Sequence, residues 1–298
     1  MSQIMDVLGS KYPIIQGPIG ELNDPKMVAA VSEAGAFGML ALGFVTDLAK
    51  VKQLVTEVKT LTDKPFGANL MIAMNPSNEA ILEVLAEAGI KTVTTSAGSP
   101  KKIYPKIKEL GMKALHVILA APLAVKAVEA GVDGVIVSGT ESGGLRTTGP
   151  EATNMILIPL VCDMVNVPVL AAGGIVDHRG YRAALALGAQ GAQIGTALLA
   201  SEESPVCLAW KEAIIACGDA STTLLPMGGM AMRTIINLKM RQLIASGADL
   251  TKEYNLMNAG PAWRKGDFDL FPAGAGQASA LIKKIKPVKD IIEEMVSC

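Results

Sequence analysis

The residue types best suited to chemistry lie where three apolar runs end. The stretch 134–146, GVIVSGTESGGLR, passes from a short apolar run into small polar residues and two adjacent glycines. Val135–Val137 reads as a buried strand bounded by glycine. Gly143 and Gly144 allow positive φ or the close approach of a flat ligand. The same device recurs where Val169–Ala172 runs into Gly173-Gly174, and again where Gly191–Ile194 runs into Gly195-Thr196. Backbone N–H groups at the last two turns, each opening a helix, suit a phosphate, and the Thr196 hydroxyl adds a donor. Two such loops in neighbouring units favour a phosphate site over glycines that only make turns.

Single polar residues interrupt the apolar runs. Asn69 ends a strand, and a buried amide needs partners. A ring with an N–H and C=O edge would supply them, and so would a neighbouring strand end. Ser138 and Gln193 are interruptions of the same kind. Glu141 reads either as a cap on backbone N–H groups or as a ligand contact. His178, after GGIVD, is a weak candidate for a base, an exposed loop histidine being the commoner case. His116 reads as a satisfied histidine inside a strand, and Met227–Met240 as core filler or the lining of an apolar pocket. No P-loop, G-x-S-x-G, H-E-x-x-H or first-strand G-x-G-x-x-G is present.

Along the chain, strand-like runs alternate with helical ones. The strands are Ile14–Gln16, Gly38–Ala41, 64–70, 92–94, 114–119, 135–137, 169–171 and 192–194. Gly35, Gly89, Gly131 and Gly188 end the intervening helices at their C′ positions, and Asn23 or Asp24 caps a helix with Pro25 in its first turn. Eight βα units with short returns predict an α/β fold, a TIM (β/α)₈ barrel with its site on the βα loops. An open doubly wound sheet is the runner-up. Residues 205–270 read as two or three helices with no strand between them, a small helical cap inserted after the eighth strand and covering the barrel mouth. Residues 1–204 and 271–298 then form the barrel, with 278–285 as the closing helix.

A net charge of −1 argues against nucleic acid and an anionic membrane surface. No apolar run approaches the ~18 residues of a membrane span. The opening MSQIMD lacks signal-peptide features, and Cys162, Cys207, Cys217 and Cys298 lack C-x-x-C spacing. A cytoplasmic protein with free thiols is expected.

Taken together, 12–18 (YPIIQGP), 63–70 (DKPFGANL), 93–98 (VTTSAG), 141–144 (ESGG), 169–175 (VLAAGGI), 192–196 (AQIGT) and 275–277 (AGQ) resemble the nitronate monooxygenases (2-nitropropane dioxygenases) and the related FMN-dependent enoyl-acyl-carrier-protein reductases. The resemblance implies a barrel with one non-covalent FMN. Gly17, Pro18 and Ile19 would pack on the isoalloxazine and Asn69 would bond it. Ser138, Gly143 and Gly144 would lie beside the flavin. Gly173, Gly174, Gln193, Gly195 and Thr196 would hold the ribityl phosphate side.

One departure bears on mechanism. The family follows Glu-Ala-Gly-Gly with a histidine that serves as catalytic base or acid; here that place is Leu145. Arg146 beside it cannot act as a base near neutral pH. The catalytic residue is therefore left unassigned, with His178 a weak candidate. The expected function is an FMN-dependent oxidoreductase of nitronate monooxygenase type. The alternatives are an enoyl-thioester or quinone reductase using NADH or NADPH, and a flavin-binding protein without turnover. On sequence alone, Leu145→His should raise turnover of neutral nitroalkanes. The expected partner is a small-molecule substrate, with no metal, no nucleic acid and no membrane; a homodimer is left open.

Overall fold

The structure, a computed structural model, describes residues 3–20 and 22–297; Cys298, expected as a free thiol, lies outside them. Cys162, Cys207 and Cys217 are free thiols. Eight parallel strands form one sheet: β1 (Ile14–Gln16), β2 (Gly38–Ala41), β3 (Phe66–Met71), β4 (Thr92–Ser96), β5 (Lys113–Ile118), β6 (Gly134–Ser138), β8 (Val169–Ala172) and β9 (Gly191–Ile194). β7 (Gly144–Thr147) lies outside that sheet, in the loop after β6. The order runs β1-β9-β8-β6-β5-β4-β3-β2. Phe37 closes the ring, its N–H donating to the Ile14 carbonyl and its carbonyl accepting from Gln16 N–H, at 2.8 and 2.9 Å. The result is the expected TIM barrel.

The strands are short and buried on both faces, which is why they read as continuous apolar runs. Ile15, Phe37, Met39, Leu115, Ile136 and Leu170 fill the interior, together with Ile4, Val7 and Leu8 of the helix Gln3–Leu8. That helix plugs the N-terminal end, since the Thr92 hydroxyl at the start of β4 donates to Val7 O at 2.6 Å. The opposite, C-terminal end is the one left to the βα loops. Asp24 caps its helix by accepting from Met27 N–H at 2.9 Å.

Two expectations need correction. Residues 278–285 hold only the 3₁₀ turn Gln277–Leu281; the closing helix is Val288–Val296. Pro287 explains this, because the residue before a proline is kept extended and proline starts helices readily. The segment 205–270 does contain four helices, but it also contains β10 (Thr222–Met227) and β11 (Met230–Ile235). They form an antiparallel hairpin around Gly228-Gly229, whose φ values of 54° and 88° fit the type I′ turn that strand twist favours.

β11 also pairs antiparallel with β7, giving a three-stranded sheet of order β10-β11-β7. The inserted segment is thereby stitched to the loop after β6, at the C-terminal end of the barrel. Residues directly opposite in such a sheet share a face and alternate along each strand. Leu145 opposes Met232, which opposes Leu225. That face packs on Met240, Tyr254, Ala262 and Phe271, so it turns toward the helices of the inserted segment. Gly144, Arg146, Ala231 and Arg233 share the other face, which turns toward the barrel.

Candidate active site

Four loops meet at the C-terminal end. The Gly276 N–H donates to Thr196 Oγ1 at 3.0 Å, and the Gln277 N–H to Glu141 O at 2.9 Å. A Cβ on Gly143 would lie 2.9 Å from Gly276 N, and one on Gly173 would lie 2.1 Å from Ser142 Oγ. The loops after β6, β8 and β9 and the returning segment 275–277 are therefore packed at backbone distance, which only glycine permits. Gly173 and Gly174 both have positive φ, 92° and 76°, so their backbones turn sharply away from the strand. Around Gly195 the space is open, with Ile19 Cδ1 the nearest atom to a notional Cβ at 3.9 Å.

On the other side of the mouth, Gly17 N–H is held by Ile194 O at 2.7 Å. Pro18 is half-buried beside it, and Ile19 packs against a cluster containing Leu199 and Trp210. Gln16, Gly17, Ile19, Met39, Leu199 and Ser204 line a small cavity here, with room for about one water. The Gln193 Nε2 and Ser204 Oγ atoms are buried and make no hydrogen bond. Unpaired buried polar groups of this kind are costly unless a ligand completes them.

Asn69 is satisfied from within the barrel. Its Nδ2 donates to Thr94 Oγ1 at 2.9 Å, and its Oδ1 accepts from Ser96 Oγ at 3.4 Å. Glu141 takes the capping role, its carboxylate accepting from Asn154 N–H at 3.0 and 3.1 Å at the start of the helix Asn154–Met164. His116 is buried, 2.8 Å from the Thr95 hydroxyl through Nδ1, and burial pushes its pKa down to about 4. It is the satisfied strand histidine expected. His178 opens the helix His178–Ala186 behind the capping carboxylate of Asp177, half-buried and outside the network joining the other site residues.

The sequence reading missed the charged cluster under the three-stranded sheet. Arg146 Nε meets Glu151 Oε2 at 2.6 Å, both side chains almost fully enclosed. Arg146 Nη1 and Nη2 donate to the Oγ and carbonyl of Ser138, each at 3.1 Å. Ser138 Oγ donates in turn to Ser142 Oγ at 2.9 Å, and Ser142 Oγ to Ala172 O at 2.9 Å. Arg233 Nε donates to Thr140 O at 3.1 Å. The available signal was the Gly228-Gly229 pair between 222–227 and 230–235, a turn pair that implies a hairpin.

The glycine loops and the unpaired Gln193 amide thus lie at the C-terminal end of the barrel. The nitronate monooxygenase family model matches residues 1–297. The chain belongs to that family. Among curated relatives it is 36% identical to a (3aS,4S,5R,7aS)-5-hydroxy-7a-methyl-1-oxo-octahydro-1H-indene-4-carboxyl-CoA dehydrogenase of Rhodococcus jostii RHA1, over 74% of this chain and 61% of the relative's length. Among solved structures, FabK from Thermotoga maritima superposes with a TM-score of 0.89 at 34% identity, covering 99% of this chain and 95% of FabK. A nitroalkane oxidase from Streptomyces ansochromogenes gives 0.83 at 26% identity, covering 99% and 96%. The family and these neighbours are oxidoreductases of flavin type.

The residues present fit FMN. The donors unused in the structure, above all Gln193 Nε2, suit its acceptors, and the positive-φ turn at Gly173-Gly174 and the open space at Gly195 leave room for a phosphate. No group of three or more His, Cys, Asp or Glu among the described residues could hold a metal ion.

Proposed function

We propose that this member of the family is an FMN-dependent reductase, oxidising NADH or NADPH and reducing an electron-poor alkene conjugated to a thioester. One observation carries the choice. The only ionisable side chain that β7 turns toward the barrel is Arg146, while Leu145 points into the apolar cluster of the inserted segment. A guanidinium keeps its protons near neutral pH. It cannot remove a proton from carbon, as the oxidation of a neutral nitroalkane requires. It is compatible with a reaction in which negative charge develops on oxygen. The names of the Rhodococcus relative and of FabK, a carboxyl-CoA dehydrogenase and an enoyl-acyl-carrier-protein reductase, point to thioesters.

FMN, when bound, supplies the two-electron chemistry of accepting and returning a hydride. Gly17, Pro18 and Ile19 would form the wall against which its ring packs. Gln193 would donate to it, and the backbone of Gly173, Gly174, Gly195 and Thr196 would hold its phosphate. Arg146 holds the Ser138 hydroxyl and carbonyl in place at the end of β6. The segment 205–270, fixed over the mouth by β11–β7 pairing, would exclude water from the reacting atoms. Solvent would deliver the final proton to carbon. Among the described residues no helix is long and apolar enough to cross a membrane, and a cytoplasmic location is part of this reading.

The test is anaerobic turnover with NADH or NADPH and crotonyl-CoA, beside 2-nitropropane in its neutral and anionic forms. Thioester-dependent oxidation of the nicotinamide is the expected result. Rapid oxidation of neutral 2-nitropropane, with no response to nicotinamide, would overturn the proposal. The preformed nitronate needs no base and is the second substrate class to examine. Tight FMN with no turnover of any of these would identify a flavin-binding protein instead.

A further inference from the structure

The helix Asn154–Met164, on the outside of the barrel, reads NMILIPLVCDM, and Asp163 is its only charged residue. Its inner side belongs to the core, where Leu157, Ile158 and Val161 are buried. Its outer side is apolar too. Met155, Ile156, Leu160 and Met164 are 67%, 59%, 46% and 44% exposed. The helix Leu48–Leu61 of the same barrel is built differently. It turns Lys52, Gln53, Thr56 and Lys59 to solvent and buries Val51, Leu54, Val55 and Val58. A helix that is apolar all round is ordinarily a buried one.

The flanking helices continue the patch. Leu123, exposed in the first turn of the helix Ala121–Glu129, lies on the neighbour that packs alongside. Leu185 is exposed near the end of the helix His178–Ala186. Gly188, just beyond it, lies against Cys162, a notional Cβ there being 3.1 Å from the Cys162 Sγ. These six side chains leave on the order of 500 Å² of apolar surface in water, close to the largest patch a monomer ordinarily shows. Exposed Lys126 and Arg182 on the flanking helices supply a polar rim, which brings the face toward the roughly 800 Å² per partner of a standard interface.

The spacing indicates what covers it. Ile156, Leu160 and Met164 form one i, i+4 row, symmetric about Leu160. Turned about a two-fold axis at Leu160, the row meets itself antiparallel, with Ile156 over Met164 of the second copy and Leu160 over Leu160. Ridges of this i±4 kind are the ones that interdigitate most often between packed helices. Asp163 then comes level with the first turn of the second copy's helix, where the dipole favours an anion. A partner other than a second copy would need no such symmetry.

We propose that this face is the interface of a homodimer, the two copies packed through Asn154–Met164 about a two-fold axis at Leu160. The inference stands apart from the flavin reading.

Sedimentation equilibrium of the full chain at micromolar concentration should give twice the chain mass of 31.0 kDa. Leu160→Glu sets two carboxylates against each other at the axis and should raise the dimer Kd at least about a hundredfold, since each change counts twice. Leu160 is half exposed, so this variant should keep the native circular dichroism and urea midpoint. Leu160→Cys reads the geometry independently of affinity. At the axis it should join the two copies by a disulfide under mild oxidation, which native protein and Leu48→Cys, on the distant helix, should not do. Native protein that sediments as a monomer would overturn the inference. If that monomer binds vesicles of phosphatidylethanolamine and phosphatidylglycerol, the face is a membrane contact instead. A dimer that survives Leu160→Glu and leaves Leu160→Cys without the cross-link would place the interface elsewhere and overturn the inference as well.

Discussion

Leu145→His is the substitution on which sequence and structure give opposite expectations. From the family pattern alone, histidine here restores a base and raises turnover of neutral nitroalkanes. In the structure the position opposes Met232 and belongs to the cluster of Leu225, Met240, Tyr254 and Phe271. Burying a leucine completely is worth roughly 1.5–3 kcal/mol, and Leu145 is only partly enclosed, so about 1 kcal/mol is lost. An imidazole has one N–H donor and one acceptor, and an unpaired buried polar group costs about 1–3 kcal/mol. The sum is a destabilisation of about 2–4 kcal/mol, with little or no gain of nitroalkane oxidation. Below pH ~6.5 the loss grows, because a charged imidazole is harder to bury. Urea unfolding of native and Leu145→His protein, with equal m-values, measures the difference. Leu145→Met is the control and should cost under about 1.5 kcal/mol. A Leu145→His protein as stable as native, with new turnover of neutral nitroalkanes, would show that the side chain faces the flavin, and the assignment of sheet faces would be wrong.

His116 makes stability depend on pH. Its folded pKa of about 4 lies below the unfolded value near 6.5. The unfolded chain therefore binds the extra proton between these values, so stability is complete above pH ~6.5, falls as pH drops toward 4, and levels off below. The shift corresponds to about 3 kcal/mol, and His116→Gln should flatten that part of the profile; an unchanged slope would remove His116 as its cause. Gly174→Val should fold, because the nearest side-chain atom to its Cβ is Glu141 Cβ at 3.7 Å. It should lose about 1–2 kcal/mol from its positive φ and bind FMN at least about tenfold more weakly, since the branched chain occupies the approach to the loop. Native FMN affinity in this variant would take Gly174 out of the phosphate site.

The barrel was legible in the sequence because each unit carries its own punctuation. Gly35, Gly89, Gly131 and Gly188 all have positive φ at helix ends, and each is followed within a few residues by an apolar run. The glycine loops were legible for the same reason: backbone approach leaves only one residue type. Asn69 was only half readable. A buried amide announces that it has partners, and sequence does not say whether a ligand or Thr94 and Ser96 supply them. Gln193 was the better signal, yet it differs from Asn69 only in that no neighbour reaches its Nε2.

The inserted segment was misread because local composition and strand pairing disagree there. TTLLPMGGMAMRTI contains methionines and leucines that suit a helix, and the ESGGLRT stretch contains glycines that suit a loop. Neither becomes a strand on its own. β7 exists because β11 pairs with it, and β11 exists because Gly228-Gly229 turns the hairpin; together they satisfy backbone groups that no single segment satisfies. The consequence reaches the chemistry. Once 144–147 is a strand, alternation assigns each side chain a face, and a motif read as a loop leaves that assignment open. Leu145 then belongs to the inserted segment's core, and Arg146, next in sequence, is the side chain delivered to Ser138. Which side chain of 144–147 turns toward the barrel is therefore decided by pairing between two segments nearly ninety residues apart. The group delivered is a permanent cation. In the function proposed above, it favours reactions that gather negative charge over reactions that need a proton removed.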